Sequence, residues 1–511
     1  MKKVLKVLFS RIVTMAVLLI IQIAILIYLI LKLRSSYLFL YSLFGILSLT
    51  VVFFITSQRS NPSHKLAWVI PIMVFPVFGA LLYIILRTNG TGRKFRKTIN
   101  DIYKRMLPLM QQEKSIMEEL ESKDRCAANQ ARYILNSSGF PIYKNTETRY
   151  FPSGEEFFVS FIEELKKAKK FIFIETFIIR EGLMWNTVLS ILEKKARQGL
   201  DIRVMYDDAG CMATLPNKYY EKLRAKGIKC YAFNPFAPLL DIRLNHRDHR
   251  KIIVIDGHTA FTGGINLADE YINAYERFGY WKDAAILVKG EAVWSMTLMF
   301  LHLWEYISNT QEDYLKFRPE ESELEDLTAE GYVQPFGDNP LDNEPVGEFT
   351  YINMIGRAKK YVYIYTPYLV LDNELTTMLI LAAKSGVDVR IVTPHIPDKW
   401  YVFIVTQSYY EILIEAGVKI YEYDPGFLHS KAFVCDDEMG IVGSINLDYR
   451  SLYFHFECGV WLYKTESVRK IKDDFDATFE HCRQITLDDC RNINLPKRII
   501  RGFFRLFAPL M

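Results

Sequence analysis

The sequence is poor in the residues that build covalent or metal-dependent scaffolds. Its seven cysteines (Cys126, Cys211, Cys230, Cys435, Cys458, Cys482, Cys490) are odd in number and scattered over 511 residues. No CxxC pair and no zinc-type spacing occurs, which argues against a disulfide framework and favours a reducing compartment. Glycine (26) and proline (19) are too few for collagen-like or low-complexity chains. The net charge of +4 is too small to argue for nucleic acid by itself. Walker and Rossmann glycine patterns are missing. What is plentiful is apolar surface: 50% hydrophobic and 14% aromatic residues exclude a disordered chain. The length suggests about three domains at roughly 150 residues each.

Hydrophobicity is concentrated at the start. Three apolar runs, about 12–31, 37–55 and 66–86, predict membrane spans within residues 1–90. Pro71, Pro76 and Gly79 weaken the third, though membrane helices with neighbours tolerate them. A cleaved signal peptide is disfavoured, because the first apolar core is too long and Lys32 and Arg34 follow it directly. With three spans, Lys32, Arg34, Arg87, Arg93, Lys94, Arg96, Lys97, Lys104 and Arg105 share one side. Lys2, Lys3, Lys6, Arg11, Arg59 and Lys65 share the other. That balance predicts a multi-pass cell-membrane protein with a cytoplasmic C-terminal part.

Residues 91–130 read as a polar helical linker. Beyond it the chain repeats itself. Ala168-Lys169-Lys170-Phe171-Ile172-Phe173-Ile174-Glu175-Thr176 matches Ala358-Lys359-Lys360-Tyr361-Val362-Tyr363-Ile364-Tyr365-Thr366. Gly199-Leu200-Asp201-Ile202-Arg203-Val204 matches Gly386-Val387-Asp388-Val389-Arg390-Ile391. Each copy reads strand, helix, strand, a βαβ unit with buried parallel strands. The expectation is an α/β fold of two lobes, 131–325 and 326–495, related by a pseudo-dyad, with the acidic stretch near 320–330 as seam.

The duplication is sharpest around two histidines. His249-Arg250-Lys251-Ile252-Ile253-Val254-Ile255-Asp256 leads to Gly263-Gly264-Ile265-Asn266, and His429-Ser430-Lys431-Ala432-Phe433-Val434-Cys435-Asp436 leads to Gly443-Ser444-Ile445-Asn446. Lys at +2, Asp at +7, Gly at +14 and Asn at +17 recur in both. On a strand, His and Lys two apart face one side. Lysine is a compact cation suited to a phosphate oxygen. Two copies across a dyad supply two histidines for attack and protonation, with lysine and asparagine donors for a pentacoordinate oxyanion. Such a site requires no metal. His246 and His249 form an HxxH spacing, but no acidic or cysteine partner completes it.

These motifs resemble the two HxKx4Dx6GSxN signatures of the phospholipase D superfamily, with Gly264 in place of the serine. The Gly-Gly-Ile-Asn run, together with Asn61, Pro62, Lys65, Trp68, Pro76, Gly79 and Tyr83, is similar to the phospholipase-D-type cardiolipin synthases of bacteria. Phe173 to Ile179, Thr366-Pro367-Tyr368 and Asn446 to Ser451 are similar too. Two phospholipase-D-like lobes behind transmembrane helices are thereby implied, with His249, Lys251, Asp256, His429, Lys431 and Asp436 as the catalytic set. Asn266, Ser444 and Asn446 are the implied phosphate binders. The motif aspartates are expected to anchor turns more than to touch substrate. The resemblance also implies a carboxylate orienting each histidine, read as Asp283 for His249 and Glu457 for His429. His249, in the N-terminal motif, is the implied nucleophile and His429 the acid–base. Where the family motif has an asparagine two residues before the glutamate, this chain has His455.

The implied reaction transfers a phosphatidyl group from one phosphatidylglycerol to another through a phosphohistidine, giving cardiolipin and glycerol, with no cofactor, no metal and no nucleic acid. The implied partners are phosphatidylglycerol, cardiolipin and the membrane. A phospholipase D-type hydrolase or nuclease, and an inactive membrane scaffold, are the competing readings. A last feature is residues 496–511. Lys497, Arg498, Arg501 and Arg505 fall on one helical face and Ile499, Ile500, Phe503, Phe504 and Phe507 on the other, the pattern of a basic amphipathic tail for an anionic membrane surface.

Overall fold

The computed structural model describes residues 38–58, 61–75, 79–81, 83–84, 90–235, 245–320, 324, 327 and 329–510, with six isolated positions between 20 and 32. Most of the expected span 12–31 and of the expected seam near 320–330 lies outside the described residues.

Lobe 1 is built on one sheet. Its strands are β1 (Thr146–Phe151), β2 (Phe171–Thr176), β3 (Asp201–Asp207), β4 (Lys229–Phe233), β5 (Ile252–Ile255), β6 (Thr259–Gly263) and β8 (Ala285–Gly290), with β7 (Tyr280–Lys282) outside it. The sheet order is β1-β8-β6-β5-β2-β3-β4. Lobe 2 repeats this plan with β9 (Tyr332–Asp338), β10 (Tyr361–Tyr365), β11 (Asp388–Pro394), β12 (Lys419–Tyr423), β14 (Ala432–Cys435), β15 (Met439–Gly443) and β16 (Glu457–Tyr463). β17 (Cys482–Ile485) is an added edge, and the order is β17-β12-β11-β10-β14-β15-β16-β9. β2, β3 and β4 are mutually parallel, as are β10, β11 and β12; β5 and β14 join antiparallel. All six residues of β2 and all five of β10 are buried. β2 and β10 lie in the interior of mixed sheets packed on both faces, which explains their uninterrupted apolar runs.

The lobes are tied at the dyad. β13 (Gly426–Leu428) pairs with β7 of the other lobe, Gly426 opposite Tyr280 and Leu428 opposite Lys282. Asp248 of lobe 1 bridges Phe456 of lobe 2. A helix buried all round over most of its length, Val293–Ser308, fills the central core, with Phe300 stacked 4.7 Å from Phe173.

Two expectations are corrected. The segment 91–130 is part of the core and not a linker. Its helix Gly90–Met106 buries Phe95, Ile99, Ile102 and Met106, spaced by three or four residues, and Lys114–Lys123 buries Ile116 and Leu120. The polar faces of these amphipathic helices obscured that stripe. The run 66–86 is not one straight span. Its helix Pro62–Val74 contains Pro71, and the chain then folds back. A Cβ on Gly79 would lie 2.7 Å from the Ile72 Cα, and Trp68 meets Tyr83 edge-on at 5.2 Å. Only glycine permits that approach. The run 37–55 forms the helix Leu38–Thr56, of which the first five side chains lie outside the described residues. Among the described residues, no helix is long and apolar enough to cross a membrane.

Candidate active site

The two motif histidines enter their strands from opposite sides of one cavity of about 700 Å³. Its wall includes His249, His429, Asn266, Asn446, Arg247, Arg277, Lys399, Arg450 and His455. Both histidines are buried. Each is pinned by the opposite lobe. The His249 N–H donates to the Phe456 carbonyl (3.0 Å), and the His429 N–H to the Lys282 carbonyl (2.7 Å). The next residue along each of those strands is a carboxylate, which therefore reaches the histidine across the dyad. His249 Nδ1 lies 2.8 Å from Glu457 Oε1, and His429 Nδ1 lies 2.7 Å from Asp283 Oδ2. This corrects the expected pairing: the carboxylates are exchanged between lobes. Sequence spacing places each acid after its own lobe's motif, whereas backbone pairing across the interface decides which imidazole it meets.

The carboxylate environments differ. Ser444 donates its hydroxyl to Glu457 and accepts the Cys458 N–H at 3.0 Å. The serine is therefore engaged in holding Glu457, where phosphate binding was expected. In lobe 1 a Cβ at Gly264 would fall 2.0 Å from Asp283 Oδ1. The carboxylate occupies the space a serine would need, which accounts for the departure from the motif. Burial pushes Glu457 up to about 8. Burial acts on Asp283 in the same direction, but His429 and Lys431 outweigh it and hold Asp283 below its ordinary value.

Burial and the neighbouring lysines depress both histidines, His249 well below its usual value and His429 to about 4. Lys251 and Lys431 are buried beside them, with Lys431 Nζ 2.9 Å from His429 Nδ1. Desolvation lowers Lys251 to about 8 and Lys431 to about 7. A buried ammonium with a depressed pKa is stabilised by an incoming phosphate.

Asn266 and Asn446 both reach the cavity, but the protein already uses them. Asn266 accepts the Ile178 N–H (2.9 Å) and donates to the Tyr271 hydroxyl (2.7 Å). Asn446 is hydrogen-bonded to Asp448, leaving its Oδ1 buried without a partner. Asp256 and Asp436 stand apart from the cavity, which corrects their inclusion among the catalytic residues. Each sits at the far strand end with positive φ (54° and 53°). Asp256 accepts the backbone N–H groups of Lys169, Lys170 and Phe171, and Asp436 those of Lys359, Lys360 and Tyr361. They lock the motif strand to its antiparallel neighbour, β5 to β2 and β14 to β10.

Sequence reasoning missed the cationic wall of Arg247, Arg277, Lys399 and Arg450, and it missed His455. His455 lies 5.7 Å from His249, ring to ring. The sequence signal for His455 was the departure from the motif asparagine; the scattered arginines carried none.

The geometry defines a class: a two-lobed protein with two crossed His–carboxylate pairs facing one cavity. The sequence matches the family described as cardiolipin synthase, PLD-like domain, over residues 161–292 and 351–479. It matches the phospholipase D–nuclease N-terminal family over residues 43–87. The chain belongs to the phospholipase-D-like cardiolipin synthase family. It is 35% identical over 480 residues to a cardiolipin synthase of Geobacillus kaustophilus, covering 92% of this chain and 94% of that one. It is 34% identical over 473 residues to cardiolipin synthase 2 of Bacillus anthracis, covering 89% and 88%. An uncharacterized protein of Streptococcus mutans is 44% identical over 463 residues, covering 90% and 99%. The fold resembles the crystal structure of phosphatidylserine synthase from Haemophilus influenzae Rd KW20, with a TM-score of 0.55 and 15% identity over 74% of this chain and 97% of that one.

Proposed function

We propose that this chain is a membrane-bound cardiolipin synthase that moves a phosphatidyl group between two phosphatidylglycerol molecules. The observation that carries the reading is the crossed pair of His–carboxylate dyads facing one cation-lined cavity. Glu457 accepts the Nδ1 proton of His249, leaving Nε2 with a lone pair for phosphorus. In the first step, His249 Nε2 bonds to phosphorus while the bond to the glycerol oxygen breaks. His429 gives that oxygen its proton and glycerol leaves. In the second, a hydroxyl of another phosphatidylglycerol gives its proton to His429 and attacks phosphorus. The N–P bond breaks and cardiolipin is released. Lys251 and Lys431 stabilise the pentacoordinate oxygens.

The order of roles has electrostatic support. A nucleophile must be unprotonated and an acid protonated. Burial lowers both imidazoles, and Glu457 beside His249 is itself pushed up to about 8, so it offers His249 little negative charge. His429 faces Asp283, whose negative charge favours an imidazolium.

The bilayer supplies the lipid alcohol that competes with water. The folded-back segment after Pro62 has a topological consequence. With two spans and one re-entrant hairpin, every basic residue counted above except Lys32 and Arg34 falls on the side of the catalytic lobes, which favours a cytoplasmic site. The same segment docks beside the cavity, with Asn61 Nδ2 donating to Asp372 (3.1 Å) and Tyr453 (2.9 Å). The helix Leu495–Arg505 exposes Ile499, Ile500 and Phe503, the helix Pro62–Val74 exposes Leu66, Ile70 and Met73, and Ala508–Leu510 packs on that second helix. We read these exposed apolar side chains as the membrane-facing surface.

The test is the full-length protein in vesicles of phosphatidylglycerol alone. Cardiolipin and glycerol in equal amounts are expected. Phosphatidic acid and glycerol, with no cardiolipin, would establish a hydrolase instead.

A further inference from the structure

The transfer chemistry leaves His455, on the cavity wall, without a task. His455 carries two ring nitrogens that are both buried and have no hydrogen-bond partner. An orphaned polar atom in a protein interior calls for an explanation. Its Nδ1 is 3.9 Å from Glu457 Oε1, the same oxygen that lies 2.8 Å from His249 Nδ1. His249, His455 and Glu457 thus bring two imidazole nitrogens and one carboxylate oxygen within 4.8 Å of one another.

We propose that His249, His455 and Glu457 form a binding site for a transition-metal ion of the zinc class, and that an ion bound there inhibits the enzyme. Zinc-like ions bind imidazole nitrogen and carboxylate oxygen at about 2.0–2.2 Å. Three protein ligands leave a fourth position open toward the cavity for water or a phosphate oxygen. Magnesium and calcium prefer all-oxygen shells and fit this donor set poorly. Coordination at His249 takes away the imidazole that would attack phosphorus and draws Glu457 off its Nδ1. The site is confined to one half of the dyad. At His429 the surrounding rings are Tyr271, Trp281 and Phe427, none a metal ligand in this setting. The ligand that creates the site is the residue at which the motif departs from asparagine.

The inhibition arm rests on the transfer reading above; a spectroscopic arm does not. Full-length protein, freed of metal by chelation and assayed in phosphatidylglycerol vesicles, is titrated with Zn²⁺, Mg²⁺ or Ca²⁺. Zn²⁺ should inhibit in competition with lipid and chelator should reverse it, with no comparable effect of the other two. His455→Asn should raise the zinc inhibition constant at least tenfold relative to its own metal-free rate. Co²⁺ added to the wild type should give a visible absorption band that His455→Asn loses. His455→Gln serves where thermal unfolding shows that the asparagine variant is not folded. Equal zinc sensitivity in wild type and variant, or a cobalt band that survives removal of His455, overturns the site. A cobalt band lost with His455 in a protein that makes no cardiolipin keeps the site and sinks the transfer reading.

Discussion

The two lobes carry the same motif at the same offsets, yet their histidines live in different surroundings. His249 meets Phe177 at 5.0 Å and His455 at 5.7 Å, ring to ring. His429 is enclosed by Tyr271, Trp281 and Phe427 at 5.4–5.7 Å. One carboxylate is a glutamate held by Ser444 and pushed up to about 8; the other is an aspartate packed on Gly264 and held low. Duplication gives the symmetric frame, and in the proposed mechanism a few unmatched neighbours divide the labour. Groups with pKa values driven apart by environment are how one site runs attack and protonation together.

The comparison breaks first at the histidines. His249→Ala and His429→Ala should each lower turnover by about 10³–10⁴-fold or more, since both steps need both groups. Quenched turnover with labelled donor should place the phosphoryl group on the His249 peptide. Label on the His429 peptide alone would reverse the roles of the lobes.

The carboxylates sharpen it next. Glu457→Gln and Asp283→Asn should each cost about 10²–10³-fold. A donor with a good leaving group, such as a nitrophenyl ester, needs no acid in the first step. With it, Asp283→Asn should form the phosphohistidine nearly normally, and Glu457→Gln should not. The opposite pattern would mean that each acid serves its own lobe after all.

The lysines predict a pH dependence of the free enzyme. Lys431 at about 7 and Lys251 at about 8 lose their charge as pH rises, so kcat/KM should fall above pH 7–8. Bound phosphate favours the ammonium forms, so kcat should hold to higher pH. A kcat/KM profile flat through pH 9 would show that neither lysine titrates in this range.

The smallest test exchanges the unmatched pair. Gly264→Ser pushes an oxygen-bearing side chain into Asp283 and should destabilise by about 1–3 kcal/mol, with roughly tenfold lost activity. Ser444→Gly merely frees Glu457 and should cost only a few-fold. Thermal unfolding and kcat together check both.

Much of this was legible in the residues. The repeated apolar strands at 171–176 and 361–365 and the four matched offsets from each histidine specify a doubled α/β fold with two His–Lys pairs, because strand periodicity and burial are local properties of sequence. The helix Gly90–Met106 was misread because a polar face hid its buried stripe of Phe95, Ile99, Ile102 and Met106. The straight third span failed because Gly79 lets the chain double back on Ile72, a contact between residues that sequence distance does not reveal. The tertiary structure alone decided that Asp283 serves His429 and Glu457 serves His249, and that His455 stands beside His249. Each follows from which strands meet across the dyad. Two lobes with the same motif spacing offer both pairings, and the backbone hydrogen bonds of His249 to Phe456 and of His429 to Lys282 choose between them.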